Sequence, residues 1–175
     1  MIFTETKLKG AYVIELEPFA DERGFFAINW SARNFAAYGL EALVAEANVS
    51  FNLKRGTLRG MHYQKDPYGQ AKLVRCTRGA IYDVIIDLRS TSPTFTEWFA
   101  AELTADNHRM LYIPVGFAHG FQTLTDNSEV SYQMSSVYVP ESAAGVRWDD
   151  PAFSISWPIA EVTINQRDRT YPQFI

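Results

Sequence analysis

The runs AKLVRCT at Ala71–Thr77 and AIYDVIIDL at Ala80–Leu88, parted by Arg78-Gly79, decide the fold class. Both are short, rich in β-branched and aromatic residues, and bounded by turn formers, the pattern of strands rather than helices. Similar runs occur at Ala11–Glu17, Val44–Leu53, Thr57–Gln64, Glu97–Thr104, Arg109–Ile113, Phe121–Leu124 and Glu129–Tyr138. So many short strands in a chain of 175 residues predict an all-β antiparallel sandwich or barrel. One helix is expected at Ala32–Tyr38, with Ser31 as N-cap and Gly39 as its stop. Linkers, repeats and low-complexity runs are absent, so 1–175 is read as a single domain.

A composition 47% hydrophobic and 14% aromatic excludes a disordered chain and a coiled coil. The net charge of −4 argues against nucleic acid as a partner. The single Cys76 rules out a disulfide framework and a multi-cysteine zinc site. MIFTETKLKG at the start lacks the apolar run of a signal peptide, and no segment approaches the roughly 20 apolar residues of a membrane span. A soluble cytoplasmic protein without membrane contact is expected.

Strand alternation says which side chains share a face. His62 falls with Leu58, Gly60 and Gln64, opposite Arg59, Met61 and Tyr63. Lys72 falls with Gln70, Val74 and Cys76. Tyr132 falls with Val130 and Met134, on an apolar, inward face. Between Lys54 and Arg78 seven basic residues stand against one acid, a net of +6 inside an acidic chain. That concentration suits a compact anion, because guanidinium forks match phosphate oxygens.

Pro114-Val115-Gly116-Phe117-Ala118-His119 is similar to the P-x-G-x-x-H signature of the cupin barrels, in which a tight turn sets a histidine at the barrel mouth. Metal-binding cupins carry H-x-H earlier, where this chain has His62-Tyr63-Gln64. A lone histidine beside an ammonium is a poor set for a divalent cation, so no metal and no cofactor are expected. Histidine, lysine and tyrosine in an apolar barrel suit another chemistry. A histidine removes a carbon-bound proton, Lys72 stabilises the oxyanion that results, and a neutral tyrosine returns a proton from another direction. Together they describe epimerisation or isomerisation beside a carbonyl.

The strings DERGFF (Asp21–Phe26), TLRGMHYQ (Thr57–Gln64), QAKLVRC (Gln70–Cys76), IYDVIIDLRSTSPT (Ile81–Thr94), LYIPVGFAHGF (Leu111–Phe121) and WDDP (Trp148–Pro151) resemble, in order, the dTDP-4-dehydrorhamnose 3,5-epimerase family. The resemblance runs from about Ala11 to Pro172. It implies a jelly-roll cupin that dimerises by exchanging N-terminal strands and acts, without metal or organic cofactor, on a nucleoside-diphospho-4-keto-6-deoxy hexose. It also implies roles. His62 is the general base paired with Asp168, where the family has lysine-aspartate and this chain Arg167-Asp168. Lys72 polarises the C4 ketone, Tyr132 is the acid on the opposite face, and His119 lines the sugar pocket. Arg59 binds diphosphate beside Asn48, Tyr138 stacks on the base, and Arg23 reaches into the partner subunit's site.

Three departures fall among binding positions. Ile28 stands where the family has a glutamate for the thymine base, Glu46 where a glutamine precedes the asparagine, and Ala144 where a glutamate precedes the glycine. The expected substrate is dTDP-4-dehydro-6-deoxyglucose, inverted at C3 and C5 or at C3 alone. The alternatives are the same chemistry on a CDP-linked sugar, a sugar-binding cupin without turnover, and a metal-dependent cupin oxygenase.

Overall fold

The computed structural model describes residues 1–174. The strands, in chain order, are β1 (Ile2–Glu5), β2 (Tyr12–Glu15), β3 (Phe19–Asp21), β4 (Gly24–Phe26), β5 (Glu46–Asn52), β6 (Leu58–Gln64), β7 (Lys72–Arg78), β8 (Ala80–Asp87), β9 (Trp98–Thr104), β10 (Met110–Ile113), β11 (Phe117–Thr123), β12 (Ser128–Met134) and β13 (Ala143–Gly145). Two short helices join them, α1 (Ala32–Ala37) and α2 (Gln166–Arg169). One sheet runs β1-β2-β10-β7-β12-β5, the other β13-β6-β11-β8-β9, and β3 pairs with β4 in a hairpin of its own. Antiparallel pairing joins these neighbours throughout. This is the expected all-β jelly roll.

The sheets face each other across a dry core. Val74, Cys76, Leu111, Ile113 and Val130 come from the larger sheet, and Ile81, Ile85, Leu103, Phe117 and Phe121 from the smaller. Outside the larger sheet, α1 presses Phe35 onto Ile14, Leu73 and Tyr112. Ser31 Oγ caps it by accepting the Asn34 N–H, and Gly39 leaves the helix at positive φ, both as the sequence predicts. Outside the smaller sheet, Met61, Val84, Ile86 and Ala118 are covered by Val146, Phe153 and Trp157 of the C-terminal segment. That covering brings α2 against β6.

The structure also corrects the sequence reading. The turn after Pro114 ends at Gly116, so His119 lies within β11, which begins four residues earlier than expected. β1, β3, β4, β13 and α2 were not expected; each has only three or four residues, too short for a periodic signal. The basic cluster disperses. Arg59 and Lys72 alone of the seven line the cavity between the sheets, since alternation along β7 sends Arg75 to the other face and a bulge between Cys76 and Arg78 turns Arg78 to solvent.

Candidate active site

Between the sheets lies a cavity of about 260 Å³. The larger sheet supplies Asn48 and Ser50 from β5, Lys72 from β7, and Tyr132 and Met134 from β12; the smaller supplies Arg59 and His62 from β6 and His119 and Phe121 from β11. Register explains the convergence. Lys72 lies opposite Met134, Tyr132 opposite both Val74 and Asn48, and His62 opposite His119, so the inward positions of five strands fall at one level.

Strict alternation would put Arg59 and His62 on opposite faces. β6 instead advances three residues, from Arg59 to His62, while β11 retreats two, from Phe121 to His119. This bulge resets the alternation and admits both side chains to the cavity. Gly60 makes it possible. Its φ is +135°, and a Cβ there would lie 2.5 Å from the Gly120 Cα of the crossing strand.

His62 Nε2 lies 2.7 Å from Asp168 Oδ1, across 106 residues of sequence. Asp168 is buried, takes the Gly60 N–H on its other oxygen at 3.1 Å, and is fixed from behind by Asn165, whose side chain accepts the Asp168 N–H at 2.7 Å. Burial pushes the Asp168 carboxyl up, but the His62 hydrogen bond and charge together with the Gly60 N–H outweigh it and hold the group below its usual range. An aspartate that accepts Nε2–H leaves Nδ1 as the basic nitrogen of a neutral imidazole. Tyr171 meets the His62 ring edge-on at 6.1 Å.

A second pair faces the first. His119 Nε2 lies 2.8 Å from Asp83 Oδ1, and both side chains are buried. Desolvation lowers the His119 pKa against the pull of Asp83, so this ring stays neutral. Asp83 Oδ2 has no hydrogen-bond partner among the described residues. Its charge acts on Lys72, whose pKa burial pushes down and the carboxylate partly holds up, leaving it at about 8. Lys72 Nζ donates to the His62 carbonyl at 3.4 Å. Tyr132 packs against His119 and Phe121, and burial raises its pKa well above the usual value, keeping the phenol a proton donor.

An adjoining space of about 200 Å³ extends the cavity past Asn48, His62 and Lys72 to Tyr138, Ala144 and Arg167. Arg167 Nε donates to Tyr171 Oη at 3.0 Å. Glu46 accepts the Tyr138 N–H at 3.3 Å. Thus nine of the expected residues gather around one space: His62, Lys72, Tyr132, Asp168, Asn48, Arg59, His119, Tyr138 and Arg167. Arg23 and Ile28 do not. Arg23 is exposed and paired with Asp21 in the β3-β4 hairpin, and Ile28, 47% exposed, follows that hairpin outside the cavity of its own chain. Sequence reasoning missed Asp83, Ser50, Phe121 and Tyr171. For Asp83 a signal existed, an acid alternating with Ile81 and Ile85 on an inward strand face.

A model of the family described as dTDP-4-dehydrorhamnose 3,5-epimerase matches residues 5–175. The chain belongs to that family. A dTDP-4-dehydrorhamnose 3,5-epimerase of Methanothermobacter thermautotrophicus is 42% identical, over 97% of this chain and 92% of its own. The crystal structure of the enzyme of that name from Elizabethkingia anophelis superposes with a TM-score of 0.97 at 38% identity, covering 99% of this chain and 96% of that one. That from Bacillus anthracis, with TDP and PPi bound, gives 0.95 at 40% identity and 99% of both chains. The protein is therefore an isomerase of the 3,5-epimerase family. No helix among the described residues is long and apolar enough to cross a membrane.

Proposed function

We propose that the protein epimerises C3 and C5 of a nucleoside-diphospho-4-keto-6-deoxy hexose, dTDP-4-dehydro-6-deoxyglucose foremost, in the cytoplasm and as a homodimer. The observation that carries this is the convergence of His62, Lys72 and Tyr132 on one cavity. Neutral His62, oriented by Asp168, takes the proton from C3, and the electron pair moves onto the C4 oxygen as an enolate. Lys72 holds that oxygen, and its ammonium binds the developing oxyanion more strongly than the ground-state ketone. Tyr132 delivers a proton to the other face of the carbon, which inverts the centre. The same ketone acidifies C5, where the cycle repeats. Arg59 and Asn48 hold the diphosphate, Tyr138 stacks on the base beside Arg167, and His119 lines the sugar.

Incubation with dTDP- and CDP-4-keto-6-deoxyglucose in deuterium oxide tests substrate and positions together, with label at C3 and C5 followed by NMR. Deuterium at both positions is expected; label at C3 alone would restrict the reaction to one centre, and no label from either sugar would leave only a binding protein. Isoleucine cannot accept the thymine N3–H, and an unpaired buried donor costs about 1–3 kcal/mol. The preference for dTDP over CDP is therefore expected to fall below about tenfold in kcat/KM.

The dimer reading rests on the β3-β4 hairpin, whose Phe19, Phe25 and Phe26, with Ile28 just beyond, are large apolar side chains facing solvent in one chain. An exchanged hairpin would carry Arg23 and Ile28 into the partner's cavity. Mixing Arg23→Ala with His62→Ala should then restore about a quarter of wild-type activity, since half the randomly paired dimers have one intact site. Heterodimers without activity would return Arg23 to its own subunit.

A further inference from the structure

Along β5 the residues Asn48, Ser50 and Asn52 alternate onto the inward face, and the last of them is the most deeply buried. Asn52 Nδ2 donates to the carbonyls of Ser50 at 3.3 Å and Ser128 at 3.2 Å. Both amide protons being spent on carbonyls, the side chain has one orientation, and its Oδ1 faces away from them. That oxygen accepts the Arg59 Nε–H at 2.7 Å. Arg59 is otherwise a long, exposed side chain with rotamer freedom to lose on binding. Held at Nε, its guanidinium turns about a fixed point, and the four η N–H groups remain for another acceptor.

We propose that Asn52 is a positioning residue that aims Arg59 at the diphosphate of the substrate. The inference rests on the reading of Arg59 as a diphosphate ligand and adds what keeps it in place before the substrate arrives. A pre-set fork makes its hydrogen bonds without first ordering the side chain, so the benefit falls on binding rather than on the proton-transfer step. Asn52 lines neither part of the cavity. Its influence passes through Arg59 alone.

The test is a double-mutant cycle read by calorimetric binding of dTDP and by steady-state kinetics, with thermal melting as a check on folding. Arg59→Ala should weaken dTDP on the order of a hundredfold, since a charge-assisted pair is lost, and Asn52→Ala about tenfold. The loss in Asn52→Ala should appear in KM more than in kcat. In the Arg59→Ala background, Asn52→Ala should cost nothing further. Arg59→Lys serves as the second variant, because it keeps the charge and cannot donate from Nε; it should bind dTDP about tenfold more weakly. Additive losses, a fall confined to kcat, or wild-type affinity in Arg59→Lys would overturn the role of Asn52 and leave Arg59 in the site. Unchanged affinity in Arg59→Ala would overturn both.

Discussion

The molecule contains two His–Asp pairs of nearly equal geometry, His62–Asp168 at 2.7 Å and His119–Asp83 at 2.8 Å. They face each other on adjacent strands, and they differ in their access to water. The His62 side chain is 39% exposed and that of His119 only 4%. The free oxygen of Asp168 takes a backbone N–H, whereas that of Asp83 takes none among the described residues. The hydrogen bond alone therefore does not define a base. A base must reach its substrate and exchange its proton afterwards, which the exposure of the half-open pair allows. The buried pair instead supplies a fixed neutral wall and a negative charge for Lys72.

The largest effect should come from breaking the open pair. His62→Asn is expected to lose more than the roughly 10²–10⁴-fold typical of a proton-transfer group, in deuterium exchange at C3 and C5 alike. His119→Asn should lose far less, because a neutral amide can still line the sugar. Equal losses in the two variants would dissolve the distinction drawn from burial.

A middle-sized effect concerns Lys72. In the proposed reaction its ammonium must be charged to hold the enolate, and burial, partly offset by Asp83, leaves its pKa at about 8, so kcat is expected to fall as pH rises through about 8. Asp83→Asn removes a charge that favours the protonated lysine. The falling limb should then move to lower pH, with activity at pH 6 the least affected. A kcat profile in which Asp83→Asn leaves the limb in place would detach the buried pair from Lys72.

The smallest expected effect on chemistry, with the largest on folding, belongs to the bulge joining the pairs. Gly60→Ala would force a Cβ against Gly120 at positive φ, so strands β6 and β11 must part where His62 and His119 lie opposite. A melting temperature several degrees lower is expected, on the order of 1–3 kcal/mol for a strained position in a chain of this size. Activity per folded molecule should fall less than in His62→Asn. Wild-type melting would show that the strands have room to spare.

The uneven legibility of the site has a physical cause. His62, Lys72 and Tyr132 were readable because period-2 alternation holds along β7 from Lys72 to Cys76, along β12 from Val130 to Met134, and along β6 beyond the bulge. Arg59 reached the list through family resemblance, since alternation sends it to the wrong face; only the pairing with β11 reveals the extra residue. Asp83 hid inside a run that otherwise reads as apolar core, because a single polar residue scarcely disturbs a strand pattern. The pairing of Asp168 with His62 depends on how the last segment crosses the smaller sheet, and a four-residue helix leaves no periodicity to announce it. Alternation thus reached Lys72 and Tyr132, whereas the long-range partners Arg59 and Asp168 entered only through the family resemblance.

The crossing of the last segment separates the scaffold from the group that orients His62 in the proposed reaction. The sheets draw their strands from residues 2–145, whereas the carboxylate that orients the base arrives only with 165–169. Asn165 caps α2 and sets Asp168 beneath Gly60. A protease that trims this short tail would disarm the molecule while the strands of both sheets stay intact.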